Sequence, residues 1–191
     1  MRKIRYSVAM SLDGYIAGPN GESDWIVMDP DIDFGALMAG FDTVLLGRKT
    51  YEMTRQYGGG GGMPGMQAYV FSKTLDQGDC PGVTVSANAV ETLTALKAKP
   101  GKDIWLFGGG SLFRSLLELK LVDVVEIAVI PVLLGGGVPL LPHPAQTTTL
   151  KLANHRVYPK TGTVSLTYET VAGKPGTKRR SAAKRSRSKP S

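Results

Sequence analysis

The stretch Asp103–Lys120 constrains the fold of this chain more than any other. Within it, Ile104–Phe107 is a short apolar run that ends at the three glycines Gly108–Gly110. Beyond the glycines the apolar residues recur at helical spacing, at positions 112, 113, 116, 117 and 119. The pattern predicts a strand, a glycine turn and a helix. The first turn of such a helix presents free backbone N–H groups and a positive dipole end, so this junction suits a phosphate.

Two further strand ends carry polar residues of the same kind. The apolar run Thr43–Leu46 leads into Gly47-Arg-Lys-Thr-Tyr-Glu52, which predicts a second strand, glycine and helix junction with two cations and a hydroxyl at the helix start. The strand Ala68–Ser72 ends with Ser72 and Lys73. Ligands of α/β sheets bind at the carboxyl ends of the strands, so we expect these three ends to lie around one site.

The alternation of elements predicts an α/β fold. Ile4–Met10 reads as a buried first strand, and strands then alternate with helices as far as the strand Val122–Ile130. Lys151–Tyr158 and Val164–Thr170 alternate in polarity and predict a closing hairpin. We therefore expect a mostly parallel mixed sheet with a C-terminal antiparallel hairpin.

Four stretches lie outside the regular pattern. Ser11–Trp25 and Pro131–Pro142 are rich in glycine and proline and predict long loops, and Tyr57–Gly65 predicts a mobile one. Trp25 either closes over a ligand or anchors its loop to the core. Asp29–Met38 has an acidic start and apolar spacing, which predicts a short helix.

The net charge of +7 belongs to the end of the chain. Residues 173–191 hold eight cations and no acid, which leaves 15 cations against 16 acids in the rest. We predict one folded domain, 1–172, and a disordered basic tail, 173–191. The tail either binds nucleic acid by unspecific charge attraction or serves only as a solubilising appendage. The second interpretation is favoured, because no aromatic residue is interleaved to stack on bases.

Several classes of chemistry are disfavoured. The chain has two histidines and one cysteine, Cys80, at no metal-ligand spacing, so no metal site is predicted. The single cysteine fits a reducing, cytoplasmic compartment. The apolar stretch Val122–Leu141 contains Glu126, prolines and glycines, which argues against a membrane span. The P-loop and the G-x-S-x-G elbow are both missing.

Taken together, the motifs resemble the dihydrofolate reductase superfamily in order and spacing. The resemblance is carried by Gly47–Glu52, Val70–Lys73 and Ile104–Phe113, and it covers roughly residues 3–171. Ser11–Ala17 and Pro131–Gly137 narrow it to the C-terminal reductase domain of the bifunctional riboflavin-biosynthesis deaminase-reductase and its stand-alone relatives. It implies a three-layer α-β-α fold and a reductase that uses NADPH.

The resemblance also implies which residues hold the cofactor. Gly47, Arg48, Lys49 and Thr50 would hold its phosphates, and Ser72 and Lys73 would face the adenosine 2′-phosphate. Gly108, Gly109, Gly110, Ser111 and Leu112 would run under the pyrophosphate and nicotinamide, with a cis peptide between Gly108 and Gly109. Cations at the 2′-phosphate favour NADPH over NADH.

The resemblance says less about which residues bind the substrate. Asp13 resembles a substrate-side position of the riboflavin reductases, and the resemblance suggests a catalytic or binding role; the residue alone equally fits a turn before Gly14. Trp25, Gly135 and Gly136 would line the same side. The proton donor of folate reductases has no secure match, since Asp31 and Asp33 both fit the helix start. Dihydrofolate reductases have an arginine shortly before the strand that ends at Ser72, and it binds the glutamate of folate. Met66 stands at that position in this chain, which argues against folate as the substrate.

The leading hypothesis is an NADPH-dependent reductase of the 5-amino-6-(5-phosphoribosylamino)uracil reductase type. The alternatives are reduction of a pterin or folate-like heterocycle with Asp31 or Asp33 as proton source, and a nucleotide-binding protein without catalysis whose tail binds nucleic acid. The exposed strand edges of the closing hairpin predict a homodimer.

Overall fold

The computed structural model describes residues 1–56 and 62–171. Its elements, in chain order, are the strands and helices β1 (Ile4–Ser11), β2 (Tyr15–Ala17), α1 (Phe34–Ala39), β3 (Phe41–Gly47), α2 (Arg48–Gln56), β4 (Gln67–Phe71), β5 (Thr84–Ser86), α3 (Ala89–Ala98), β6 (Asp103–Gly108), α4 (Gly110–Glu118), β7 (Val124–Ile130), β8 (Val138–Pro139), β9 (Leu150–Tyr158) and β10 (Thr163–Thr170).

Eight strands form one sheet, in the order β5-β4-β3-β6-β1-β7-β10-β9. Within the described residues the pairings from β5 through to β7 are parallel, and β10 pairs antiparallel with both β7 and β9. The predicted α/β class, with a mostly parallel sheet and a closing antiparallel hairpin, is therefore confirmed.

Helices cover both faces of the sheet because buried side chains of the strands alternate between the faces. On one face Leu45 and Leu106 pack with Leu93 of α3 and Phe113 of α4. On the opposite face Val44 and Trp105 pack with Tyr51 of α2 and with Leu37 and Met38 of α1. The three layers expected from the resemblance are thus present.

Helix α3 begins directly after its capping residue, whereas α1 begins at Phe34, five residues later than the helix predicted from Asp29. The side chain of Asn88 accepts a hydrogen bond from the Glu91 backbone N–H (3.2 Å) and so caps α3, and the order Asn-x-x-Glu is typical of such a cap. Asp33 caps α1 in the same way through the Ala36 N–H (2.8 Å). Helix α4 begins at Gly110, two residues earlier than the apolar spacing from Leu112 indicates.

The prediction of long loops without strands was wrong in two places. Tyr15–Ala17, inside the stretch 11–25, pairs antiparallel with Val138–Pro139, inside the stretch 131–142, as a separate two-stranded sheet. Each strand is too short to leave a periodic signal, and the pairing depends on contact between distant segments. The two predicted loops are therefore joined to each other by backbone pairing.

The predicted tail and most of the predicted mobile loop lie outside the described residues. The boundary between domain and tail stays a prediction. No helix in the described part of the chain is long and apolar enough to cross a membrane.

Candidate functional site

A cleft of about 2040 Å³ lies at the carboxyl ends of the parallel strands and continues along one face of the sheet. Sites for one small ligand typically enclose roughly 300–1,000 Å³, so this cleft has room for two. One part, the nucleotide end, is lined by Gly47–Thr50, Ser72, Lys73 and Gly109–Leu112. The other part is lined by Ser7, Glu126, Ser165 and Thr167, which we call the floor.

The two glycine junctions meet at the nucleotide end. A Cβ atom on Gly47 would lie 3.5 Å from the Leu112 Cβ and 3.8 Å from the Gly109 nitrogen. A Cβ atom on Gly109 would lie 3.4 Å from Thr50 Oγ1. The starts of α2 and α4 are therefore side by side, as their sequence signals predict, and they face the same cleft.

The start of α4 is open to a ligand. Its N-cap residue is Gly109, which provides no side chain to cap the first-turn N–H groups. The Gly108–Gly109 peptide is cis, as the resemblance implies. A Cβ atom on Gly110 would lie only 2.7 Å from the Pro139 carbonyl oxygen, so glycine is required there for the helix to pack against β8. Gly108 is the one expected cofactor residue that does not line the cleft.

Three cations, Arg48, Lys49 and Lys73, line the nucleotide end of the cleft. The Arg48 guanidinium donates from Nε to Glu52 Oε1 (2.7 Å) and from its NH1 nitrogen to Thr74 Oγ1 (2.8 Å). Lys49 and Lys73 line the cleft and form no ion pair within the described residues. Ser72 Oγ accepts hydrogen bonds from the N–H groups of Thr74 and Leu75 (both 3.1 Å), which fixes the turn after β4.

These features fit a phosphorylated dinucleotide such as NADPH. Uncapped N–H groups at a helix start and adjacent cations bind phosphate oxygens, and glycines allow a ligand to approach the backbone closely. The residues at 47–50, 72–73 and 109–112 lie together in the structure, although they come from three separate parts of the sequence.

Asp13 joins two loops. Its carboxylate accepts hydrogen bonds from Ser11 Oγ (2.6 Å), the Gly135 N–H (2.7 Å) and the Leu134 N–H (3.1 Å). The hydrogen bond from Ser11, with those from Gly135 and Leu134, holds the pKa of Asp13 below its ordinary value. Neither Asp13 nor the neighbouring Gly135 and Gly136 lines the cleft.

Trp25 also stays outside the cleft lining. Its indole Nε1 donates to the Glu22 carbonyl oxygen at 3.1 Å, so the ring fastens a turn within its own loop. The residues that follow it, Ile26–Met28, do line the cleft. The loop therefore contributes apolar side chains other than the tryptophan.

The two candidate proton donors differ in position. Asp31 is 46% exposed, forms an ion pair with Lys160 (2.7 Å) and does not line the cleft. Asp33 lines the cleft, and its carboxylate is engaged in capping α1. The structure thus brings Asp33, rather than Asp31, to the site.

Asp29 is a buried carboxylate that sequence reasoning missed. Its side chain accepts hydrogen bonds from Thr161 Oγ1 (2.9 Å), the Thr161 N–H and the Asp31 N–H (both 3.0 Å), which attaches the loop before α1 to the β9–β10 turn. Burial alone raises the pKa of Asp29. The hydrogen bonds from Asp31 and Thr161 and the charge of Lys160 together lower this pKa by more than burial raises it, so it lies below its ordinary value.

The sequence analysis also did not identify the residues of the floor as part of the site. Glu126, on β7, is held by Arg5, whose guanidinium donates to its two carboxylate oxygens at 2.6 and 3.3 Å. The strand register places Glu126 between Ser7 of β1 and Thr167 of β10. One signal was available, since Glu126 is the only charged residue in the otherwise apolar run Val124–Ile130.

No group of histidine, cysteine, aspartate or glutamate side chains in the described residues is arranged to hold a metal ion.

The chain is similar to known proteins over most of its length. The sequence pattern of the family described as the RibD C-terminal domain matches residues 2–164. YyaP of Bacillus subtilis, described as uncharacterized, is 38% identical over 178 residues, which cover 87% of this chain and 94% of YyaP. The riboflavin biosynthesis protein RibD of Corynebacterium ammoniagenes is 28% identical, and the match covers 79% of this chain but 49% of that protein.

Solved structures share the fold. A crystal structure from Shewanella sp. PV-4, provisionally assigned to riboflavin biosynthesis, is 29% identical with a TM-score of 0.74 and covers 90% of this chain and 99% of its own. Dihydrofolate reductase of Enterococcus faecalis is 20% identical with a TM-score of 0.62, and the match covers 88% of this chain and 96% of the reductase chain. The expected dihydrofolate reductase-like architecture is therefore confirmed.

Proposed function

The chain belongs to the RibD C-terminal domain family, and from this premise we propose that it is an NADPH-dependent reductase of a small heterocyclic substrate. The proposed type is 5-amino-6-(5-phosphoribosylamino)uracil reductase. The observation that carries the proposal is the meeting of the two glycine junctions, with Arg48, Lys49 and Lys73, at one end of a cleft large enough for two ligands.

The residues of the nucleotide end would bind and orient the cofactor. The first-turn N–H groups of α4 and the hydroxyls of Thr50 and Ser111 would bind its phosphates. When bound, NADPH supplies a hydride. The protein would position the two ligands against each other, because both would lie in the same cleft.

Preference for NADPH over NADH follows from charge. Arg48, Lys49 and Lys73 line the cleft together, and Glu52 is the acid that partly neutralises Arg48. A 2′-phosphate placed among three cations gains charge-assisted hydrogen bonds that an unmodified ribose hydroxyl does not.

The roles of the remaining predicted residues stay predictions. Asp13 and Asp31 are proposed as catalytic, and Asp13, Trp25, Gly135 and Gly136 as substrate residues, on the resemblance alone. Reduction of a pterin remains the alternative, with Asp33 in the cleft as the proton source.

The test is a titration of the full chain with NADPH and with NADH, followed by nicotinamide fluorescence. We expect NADPH to bind at least tenfold more tightly, and we expect Arg48→Ala to remove most of that difference. Arg55→Ala is the matched control, because Arg55 lies on the same helix and contacts Tyr51 rather than the cleft.

Binding of neither nucleotide would contradict the proposal, since the glycine junctions would then be structural only. Binding should be followed by NADPH oxidation assays with the phosphoribosylamino-uracil and with a dihydropterin. Tight NADPH binding with no turnover of any heterocycle would favour a nucleotide-binding protein without catalysis.

A further inference from the structure

The cleft contains, in the floor and at its outer side, a charged residue for each end of a phosphorylated substrate. On the basis of the reductase function above, we propose that Glu126 accepts hydrogen bonds from the heterocycle and that Arg156 binds its phosphate. Both residues line the cleft, and neither belongs to the nucleotide end. The assignment makes the floor the site that selects the substrate.

Glu126 has free acceptor capacity. Its side chain is 16% exposed, and the Arg5 guanidinium occupies one position on each carboxylate oxygen. A carboxylate offers about four acceptor positions, so others remain for N–H groups of a ligand. Arg5 fixes the orientation of the carboxylate and keeps it in place at the sheet surface.

The local charge favours donors in the ligand. Arg5 also forms an ion pair with Asp103 (3.4 Å), so two carboxylates share a single guanidinium and one negative charge is in excess. In a half-buried position this charge is stabilised by N–H groups of an amino-heterocycle.

Hydroxyl groups surround Glu126 on the floor. The side chains of Ser7, Ser165 and Thr167 line the cleft and have no hydrogen-bond partner within the described residues. They can donate to ring carbonyls or accept from amino groups. Phe107 lines the same cleft and offers apolar surface to a flat ring, and the buried Trp105 packs edge to face against it at 4.9 Å.

Arg156 lies at the outer side of the floor. It pairs in register with Ser165, and its guanidinium lies 4.6 Å from the Tyr158 ring centroid. It forms no ion pair within the described residues, so the fork of N–H groups is available to a phosphate. From strand spacing, its Cα lies about 12 Å from that of Glu126, a span that suits a heterocycle with a ribosyl phosphate.

The experiment measures binding of two probes to the NADP⁺-saturated full chain by calorimetry. The probes are 5-amino-6-ribitylaminouracil and its 5′-phosphate. We expect Glu126→Gln to weaken both by at least tenfold. We expect Arg156→Ala to weaken the phosphate by at least tenfold and to change the unphosphorylated probe by less than twofold.

Glu169→Gln is the matched control for Glu126, because Glu169 lies on the neighbouring strand β10, forms an ion pair with Lys3 (3.9 Å) and does not line the cleft; we expect less than a twofold change. Unchanged NADP⁺ affinity shows that each variant has folded. If the wild-type chain binds the probes and neither Glu126→Gln nor Arg156→Ala changes their affinity, this inference is wrong but the proposed function stands. If the wild-type protein binds NADP⁺ but neither probe, the proposed substrate and this assignment both fail.

Discussion

At the scale of single residues, Tyr6 has a hydroxyl that the core does not use. The side chain is fully buried, stacks on Phe113 with ring centroids 3.9 Å apart, and its hydroxyl has no hydrogen-bond partner within the described residues. Burial alone raises the pKa of Tyr6 far above its ordinary value. The hydroxyl was desolvated on folding without gaining a partner, which costs stability.

We therefore predict that Tyr6→Phe raises the free energy of unfolding by about 1 kcal/mol or more, measured by urea denaturation. Tyr69→Phe, at a half-buried position beside the same core, should change it by less than about 0.5 kcal/mol. A loss of stability in Tyr6→Phe would contradict the prediction and would show that the hydroxyl has a partner.

For Asp29 we predict a loss of stability, because its carboxylate has hydrogen-bond partners that a substitution can remove. Thr161→Val removes the hydroxyl that donates to the carboxylate, so we expect a lower midpoint of urea denaturation at pH 7. The folded-state pKa of Asp29 is lowered, so its contribution is complete above the unfolded value of about 3.9 and is lost as the pH falls through the folded value. The difference between variant and wild type should therefore shrink below about pH 4. A difference independent of pH would argue against this account.

The sequence was sufficient for some site residues and insufficient for others. Gly47, Arg48 and Gly109 sit in local motifs whose spacing is itself the signal. Glu126 becomes a site residue only through the strand register that sets it beside Ser7, and Asp29 only through contact with a turn 132 residues away. Such roles depend on tertiary contacts, which periodicity does not report.

At the scale of elements, the regular strands and helices were predictable, whereas the pairing of β2 with β8 was not. Local propensity and capping residues determine where α3 begins, and alternation of polarity identifies β9 and β10. The β2–β8 pair depends instead on Gly137, which has a φ of +140° and lies against the Ala17 carbonyl. Only glycine adopts that backbone conformation without strain.

We predict that Gly137→Ala lowers the free energy of unfolding by about 1–3 kcal/mol and disrupts the β2–β8 pair, because the new Cβ would overlap the Ala17 carbonyl. Gly136→Ala is the matched control: its Cβ would meet no atom within 4 Å, and we expect little change. Amide hydrogen exchange at Tyr15–Ala17 would report the lost pairing, and equal protection in both variants would refute the assignment.

At the scale of the whole molecule, β9 is the exposed edge of the sheet. It is the last strand in the order and is solvent-exposed along most of its length, with Val157 59% exposed. Long exposed edges pair readily with another chain, so the homodimer suggested by the sequence is proposed to form along this strand.

We expect the full chain to sediment as a dimer and Val157→Lys to shift it toward the monomer by at least tenfold in dissociation constant. Val90→Lys, at an exposed valine on α3, serves as the control and should leave the dimer intact. A monomeric wild-type protein at micromolar concentration would refute the proposal. The same measurement on a chain shortened at residue 172 tests whether the basic tail contributes.

The position of β1 has a consequence for how this protein is made. The strand lies inside the sheet, where Ile4 pairs with Ile104 and Arg5 with Val124, so both neighbours are about 100 residues further along the chain. At about 5–20 residues per second, a ribosome takes about 5–20 s to deliver them. Of the strands in this sheet, β1 is synthesised earliest, yet its apolar side chains stay without both neighbouring strands during that interval.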